Sequence, residues 1–87
     1  MMWEIEFTKQ SVKDVEMIKQ AGLRDNVIQL LEVLQNNPFQ NPPPYEKLVG
    51  DLKGAYSRRI NIKHRLVYSV DKDRCCIRIL RLWTHYE

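Results

Sequence analysis

The sequence is poor in the residues from which cofactor and metal sites are usually built. Only three glycines are present, at positions 22, 50 and 54, and they do not form a glycine-rich phosphate loop. The two histidines and two cysteines lack metal-ligand spacing, and the acidic residues do not cluster into a magnesium site. We therefore expect neither a metal ion nor a cofactor.

Cysteine and long apolar runs are also scarce. Cys75 and Cys76 are adjacent, and neighbouring cysteines rarely meet the geometry of a relaxed disulfide. They are interpreted as strand residues of a protein in a reducing compartment. No apolar run reaches the length of a membrane span, and the N-terminus lacks the apolar core of a signal peptide. These features predict a cytoplasmic protein that does not enter a membrane.

What is present is typical of one small folded domain, residues 1–87. Hydrophobic residues make up 44% and charged residues 29% of the chain, which is too apolar for a disordered protein. The net charge is +3. This modest excess allows an anionic partner, provided that the positive residues are clustered.

The first part of the chain predicts one strand and two helices. Residues 3–7 alternate apolar and acidic side chains, as a strand with one buried face does. A helix capped by Thr8 or Ser11 then ends near Gly22, and a second helix ends at residues 36–38. The side chains expected on the buried stripes are Val12, Val15, Ile18 and Ala21, then Leu23, Val27, Leu30, Leu31 and Leu34.

All four prolines lie within residues 38–44, so residues 38–46, called the proline arm below, are expected to be extended. Strands are predicted over residues 55–61, around Leu66, Tyr68 and Val70, and over 75–83, with a turn at 71–74. The resulting order β-α-α-β-β-β predicts an α+β domain. Its helical hairpin should pack on one face of an antiparallel sheet.

Alternation along the two middle strands places Ser57, Arg59 and Arg65 on the outward face, with Arg59 opposite Arg65 across a short hairpin. Opposed like charges are unfavourable in a sheet, so a bridging phosphodiester is the natural partner. The same segment carries further basic and aromatic side chains that are candidate RNA contacts, namely Lys53, Arg58, Lys63, His64 and Tyr56. A solvated basic hairpin with a core tyrosine is the alternative.

Glu46 and His85 complete the candidate site. Cutting RNA without a metal needs a base for the 2′-hydroxyl, an acid for the departing 5′-oxygen and cations for the phosphoryl charge. A glutamate, a histidine and arginines are the residue types for these roles. Each residue alone is more often an ordinary surface side chain, and composition does not show that they meet in space.

Three blocks carry a family resemblance: Glu46-Lys47-Leu48, the run from Gly54 to Ile60, and the run from His64 to Tyr68. Together with Asn37-Pro38-Phe39 and the terminal His85-Tyr86, they closely resemble the Txe/YoeB family of toxins from bacterial toxin–antitoxin pairs, within the RelE/ParE-like superfamily. The resemblance runs the length of the chain. It implies the α+β fold and an endoribonuclease that cuts mRNA, typically in the ribosomal A site.

The resemblance also implies roles for single residues. Glu46 falls on the general base, Arg65 on the residue that stabilises the transition state, and Arg59 on a phosphate contact. His85 falls on the general acid, and Tyr86 is expected to orient the substrate. A cognate antitoxin is expected to block the site, the toxin often forms a homodimer, and DNA is contacted only through the antitoxin complex.

Three departures from the family pattern qualify these roles. Many members end on the tyrosine, whereas Glu87 follows it here, and the last strand is slightly longer before His85. Val49 stands where relatives often carry lysine. The open alternatives are a non-catalytic toxin of the ParE type acting on a protein, and a decayed toxin that keeps only its antitoxin-binding surface.

Overall fold

The computed structural model describes residues 2–85, with side chains for residues 2–83. The helices and strands follow the predicted order, with one short strand and one 3-10 turn added. In chain order they are β1 (Glu4–Phe7), α1 (Lys9–Gln20), α2 (Arg24–Asn36), β2 (Glu46–Lys47), the 3-10 turn Gly50–Leu52, β3 (Ala55–Arg59), β4 (His64–Asp71) and β5 (Cys76–His85). The α+β class is therefore confirmed.

The five strands form one sheet in the order β1-β5-β4-β3-β2. The pairs β2–β3, β3–β4 and β4–β5 are antiparallel, but β1 runs parallel to β5, with Ile5 opposite Ile77 and Phe7 opposite Ile79. The prediction of an antiparallel sheet is therefore right for the three pairs among β2 to β5 and wrong for β1. An alternating apolar pattern reports which face of a strand is buried and says nothing about the direction of its neighbour.

Helix α1 is capped as predicted, and its predicted buried stripe is right for Val15 and Ile18 but wrong for Val12 and Ala21. The Thr8 hydroxyl accepts a hydrogen bond from the Ser11 amide at 3.2 Å and donates to the Ile79 carbonyl at 2.9 Å. The buried residues are Ser11, Asp14 and Ile18. Val12 is 57% exposed, and Ala21 is also exposed. The prediction was wrong for Val12 and Ala21 because the polar residues Ser11 and Asp14 occupy part of the inward stripe of the helix.

Helix α2 buries the predicted side chains. Val27, Leu30 and Leu34 face the sheet, and Gly22 lies at φ +72° in the turn before the helix. The core is formed by both helices and one face of β3, β4 and β5. Its buried members are Ile18, Val27, Leu30, Leu34, Ile60, Leu66, Tyr68, Ile77, Ile79 and Leu82.

The β3–β4 hairpin has the predicted register. Arg59 lies opposite Arg65, and Ser57 lies opposite Val67. The loop is closed by the Asn61 side chain, whose Oδ1 accepts hydrogen bonds from the amides of Lys63 (2.9 Å) and His64 (2.7 Å). This turn holds β3 and β4 in register from the Ala55–Ser69 pair to the Arg59–Arg65 pair. It therefore fixes the positions of Arg59 and Arg65.

Candidate active site

The short strand β2 brings the end of the proline arm to the outward face of the sheet. Glu46 pairs with Ser57 of β3, and the Arg65 side chain from β4 reaches both residues. Arg65 Nη1 lies 3.3 Å from Glu46 Oε1 and 3.3 Å from Ser57 Oγ. Residues that are far apart in sequence thus meet across three neighbouring strands.

The Glu46–Arg65 ion pair is asymmetric in exposure. The Arg65 side chain is 5% exposed, whereas the Glu46 side chain is 53% exposed. A buried guanidinium is costly unless anions and hydrogen-bond acceptors compensate it, and Glu46 and Ser57 supply both. The arrangement presents a proton acceptor to solvent with a fixed positive charge directly behind it.

Arg59 occupies the predicted position opposite Arg65, but the two arginines have different environments. Arg59 is exposed, and no ion pair among the described residues includes it. Since Glu46 balances the charge of Arg65, the opposed arginines need no further anion to coexist. Arg59 is left at the rim of the site as a cation available to a phosphate.

Arg58 is not a substrate contact, and the prediction for this residue is contradicted. Arg58 is 1% exposed. Its guanidinium donates to the backbone carbonyls of Pro38 (3.0 Å), Gln40 (2.8 Å) and Pro43, and its Nε donates to the Tyr68 hydroxyl at 3.1 Å. Four of the five N–H groups of an arginine are therefore used inside the protein.

Arg58 instead holds the proline arm against the sheet. The Tyr68 hydroxyl donates to the same Pro38 carbonyl at 2.8 Å, and the Arg58 guanidinium lies 4.9 Å from the ring centre of Tyr45. Burial raises the pKa of Tyr68, although the neighbouring Arg58 charge opposes this rise. These contacts anchor the arm on both sides of its prolines and so determine where Glu46 lies.

Lys53 and Tyr56 lie together beside the Glu46 strand. They line an open hollow of about 540 Å³ with Lys47, Leu48, Val49 and Gly54. The Tyr56 ring is half-buried and packs edge-on against Phe39 and Tyr45, with ring centres 5.4 and 5.8 Å apart. Two lysines around an aromatic edge are consistent with contacts to an RNA strand.

The backbone of β5 leads to the same end of the sheet. Thr84 pairs with Arg65, and His85 pairs with His64. The side chain of His85 and the whole of Tyr86 lie outside the described residues. His64 is buried and stacks on Trp83, with ring centres 3.8 Å apart.

No three His, Cys, Asp or Glu side chains within the described part of the chain come together as a possible metal site. None of the helices in that part is long and apolar enough to cross a membrane.

Comparison with known proteins identifies the family to which this chain belongs. The pattern that defines the YoeB-like toxin of bacterial type II toxin–antitoxin systems matches residues 7–86. The chain belongs to this family. Toxin YoeB from Synechocystis is 33% identical over 87 residues, which cover 97% of this chain and 98% of that relative.

Solved structures of family members share the fold. The YoeB–YefM toxin–antitoxin heterotetramer from Staphylococcus aureus matches with a TM-score of 0.80 and 34% identity, covering 99% of this chain and 100% of that one. The YoeB dimer from the same organism matches with a TM-score of 0.81 and 35% identity, over 99% and 100% of the two chains. Both similarities span the whole region that carries the Glu46–Arg65 pair.

Ser57 is the site residue to which the sequence analysis assigned no role. The residue is 1% exposed, and its hydroxyl contacts Arg65. It stands between Gly54 and Ile60, in the block that carries the family resemblance, and shares strand parity with Arg59. That shared parity, which places the hydroxyl on the same face as Arg59 and Arg65, was the signal available in the sequence.

Proposed function

We propose that this family member is a metal-independent endoribonuclease that cuts mRNA. The observation that carries the proposal is the half-exposed Glu46 carboxylate, 3.3 Å from a buried arginine and on the same sheet face as Arg59. A general base next to fixed cations is what in-line attack by a 2′-hydroxyl on its own phosphodiester requires.

In the proposed reaction, Glu46 removes the proton from the 2′-hydroxyl, and the 2′-oxygen forms a bond to phosphorus. Arg65 and Arg59 stabilise the charge that grows on the phosphoryl oxygens. The bond from phosphorus to the 5′-oxygen breaks, and His85 donates a proton to that leaving oxygen. The products are a 2′,3′-cyclic phosphate and a free 5′-hydroxyl.

We further propose a substrate and partners. The substrate is mRNA in the ribosomal A site, in the cytoplasm, with Lys53, Tyr56 and Tyr86 contacting the strand beside the cut. The Staphylococcus aureus relatives are described as a dimer and as a complex with an antitoxin. This supports a homodimer that is neutralised by a cognate antitoxin, and contact with DNA only through that complex.

The test is cleavage of mRNA on programmed ribosomes by the purified chain and by Glu46→Ala and His85→Ala variants. Each variant should lose at least about 10²-fold in rate, the usual contribution of a positioned base or acid. Glu16→Ala is the matched control for Glu46, because Glu16 is 70% exposed and lies on α1, away from the site. Its rate should equal that of the wild type.

Two results would overturn the proposal. Wild-type rates for both Glu46→Ala and His85→Ala would show that these residues are not the base and acid. A wild-type chain that arrests growth while mRNA stays intact would instead favour the non-catalytic, ParE-type alternative. End-group analysis of the products provides an independent check, since a 2′,3′-cyclic phosphate is expected only from 2′-hydroxyl attack.

A further inference from the structure

The last strand is irregular on its way to the site. Tyr68 pairs with Ile79, but Val67 pairs with Arg81 and Arg65 pairs with Thr84. The register shifts by one residue between Tyr68 and Val67 and by one more between Val67 and Arg65. Strand β5 therefore contains two extra residues before Thr84. In a regular ladder continued from the Tyr68 pair, the residue opposite Arg65 would be Leu82.

The irregular segment is held by a buried carboxylate from α1. Asp14 is 3% exposed, and its Oδ2 accepts hydrogen bonds from the amides of Leu82 (2.9 Å) and Trp83 (3.2 Å) and from Arg81 Nε (3.0 Å). Its Oδ1 accepts from Gln10 Nε2 at 3.0 Å. Consecutive amides of a regular strand point to opposite edges, so their convergence on one oxygen requires the irregular backbone.

Asp14 accepts hydrogen bonds from the edge of β5 beyond the point where its pairing with β1 ends. β1 pairs with β5 only as far as Ile79, and Thr8 then turns the chain into α1. Without Asp14, the amides of Leu82 and Trp83 would lose the acceptor found for them at this edge. Burial raises the pKa of the Asp14 carboxyl, but these hydrogen bonds outweigh burial and hold its pKa below the ordinary value. The group is therefore an anion at neutral pH.

We propose that Asp14 is a positioning residue for RNA cleavage, holding β5 in the register that brings Thr84 opposite Arg65 and His85 next to that pair. The inference rests on the proposed function. Two residues of strand correspond to about 7 Å. Loss of the irregularity would therefore move the backbone of His85 by that distance relative to Arg65, while the Glu46–Arg65 pair stays in place.

The first test compares Asp14→Asn and Asp14→Ala with Glu16→Ala, a matched removal of charge from the exposed face of the same helix. Under conditions where each protein is folded, the Asp14 variants should lower kcat about 10- to 100-fold, because misplacing a reacting group by even 1 Å has effects of this size. KM should stay within about twofold, since the arginines are untouched. Equal losses in Glu16→Ala, or unchanged kcat in both Asp14 variants, would overturn the proposal.

A double-mutant cycle with His85→Ala separates positioning from general damage. If Asp14 acts by placing His85, adding Asp14→Asn to His85→Ala should cost nothing more. Multiplied losses would show that Asp14 acts on the fold alone. Amide exchange gives a readout without catalysis, since the Leu82 and Trp83 amides should exchange faster in Asp14→Asn.

The outcomes also distinguish the two proposals. If the wild-type chain cuts no RNA, the proposed function fails, and the amide chemical shifts of Thr84 and His85 then decide the role of Asp14. Shifts that change in Asp14→Asn and not in Glu16→Ala would retain the register role. Identical shifts in wild type and Asp14→Asn would end it.

Discussion

Two adjacent arginines of β3 should respond in opposite ways to the same conservative change. Arg58→Lys should destabilise the protein and Arg59→Lys should not, because the Arg58 guanidinium is enclosed and that of Arg59 is exposed. Conversely, Arg59→Lys should weaken RNA cleavage in a fully folded protein. The sequence analysis names both residues as candidate RNA contacts, so the contrast tests the tertiary assignment directly.

The size of the Arg58→Lys effect follows from its hydrogen bonds. The guanidinium makes four donations, to three carbonyls of the proline arm and to Tyr68, whereas an ammonium has three N–H groups without the planar fork. At least one hydrogen bond from a charged group is lost, worth about 1.5–3 kcal/mol. For a domain of this size, that loss lowers Tm by roughly 6–24 °C.

Stability is measured by thermal and urea unfolding, with Trp3 and Trp83 as fluorescent probes. Arg59→Lys should stay within about 0.5 kcal/mol of wild type, while its kcat/KM falls about tenfold, equivalent to one lost charged hydrogen bond. An unchanged Tm in Arg58→Lys would refute the role of Arg58 in holding the arm. Full cleavage activity in Arg59→Lys would refute the proposed phosphate contact of the Arg59 guanidinium.

Three further predictions test single contacts. Ser57→Ala should slow cleavage about tenfold while the protein stays folded, because Arg65 loses its hydrogen bond to the Ser57 hydroxyl. A kcat equal to that of the wild type would show that Ser57 does not contribute to cleavage. Ile18→Ala should cost about 2–5 kcal/mol and Val12→Ala less than about 0.5 kcal/mol in urea unfolding; equal costs would contradict the buried face of α1. Because burial raises the pKa of Tyr68, its contribution to stability is present below pH about 10 and is lost as the pH rises further. Tyr68→Phe should lower the free energy of unfolding by about 1–2 kcal/mol at neutral pH, and the variant should lose less stability than the wild type above pH about 10. The same loss of stability at high pH in both proteins would contradict this prediction.

Much of the fold could be predicted from local patterns. Alternation, helical spacing, glycine and proline positions located every long element, and parity correctly paired Arg59 with Arg65. These features succeed because they depend on neighbours within a few residues. The roles assigned to Glu46, Arg65 and His85 came from resemblance and remain predictions. The structure shows that Glu46 and Arg65 are in contact and that the backbone of His85 lies at the same end of the sheet.

The errors share a physical cause. Arg58 looked like a ligand for phosphate because arginine is usually exposed, and Val12 looked buried because valine usually is. In both places a polar side chain is buried with its hydrogen bonds satisfied by distant backbone: Arg58 by the proline arm and Asp14 by β5. Hydrophobic periodicity cannot report such partners, since they lie 20 and 68 residues away in the chain.

The order of elements, the outward face of the hairpin and the family blocks could be recognised in the residues alone, because each is encoded in a short stretch of chain. Packing decided the rest: the enclosure of Arg58 by the proline arm, the parallel pairing of β1, and the two-residue irregularity of β5. Those outcomes depend on where buried donors find acceptors across the folded domain, and such long-range pairing is absent from any local pattern.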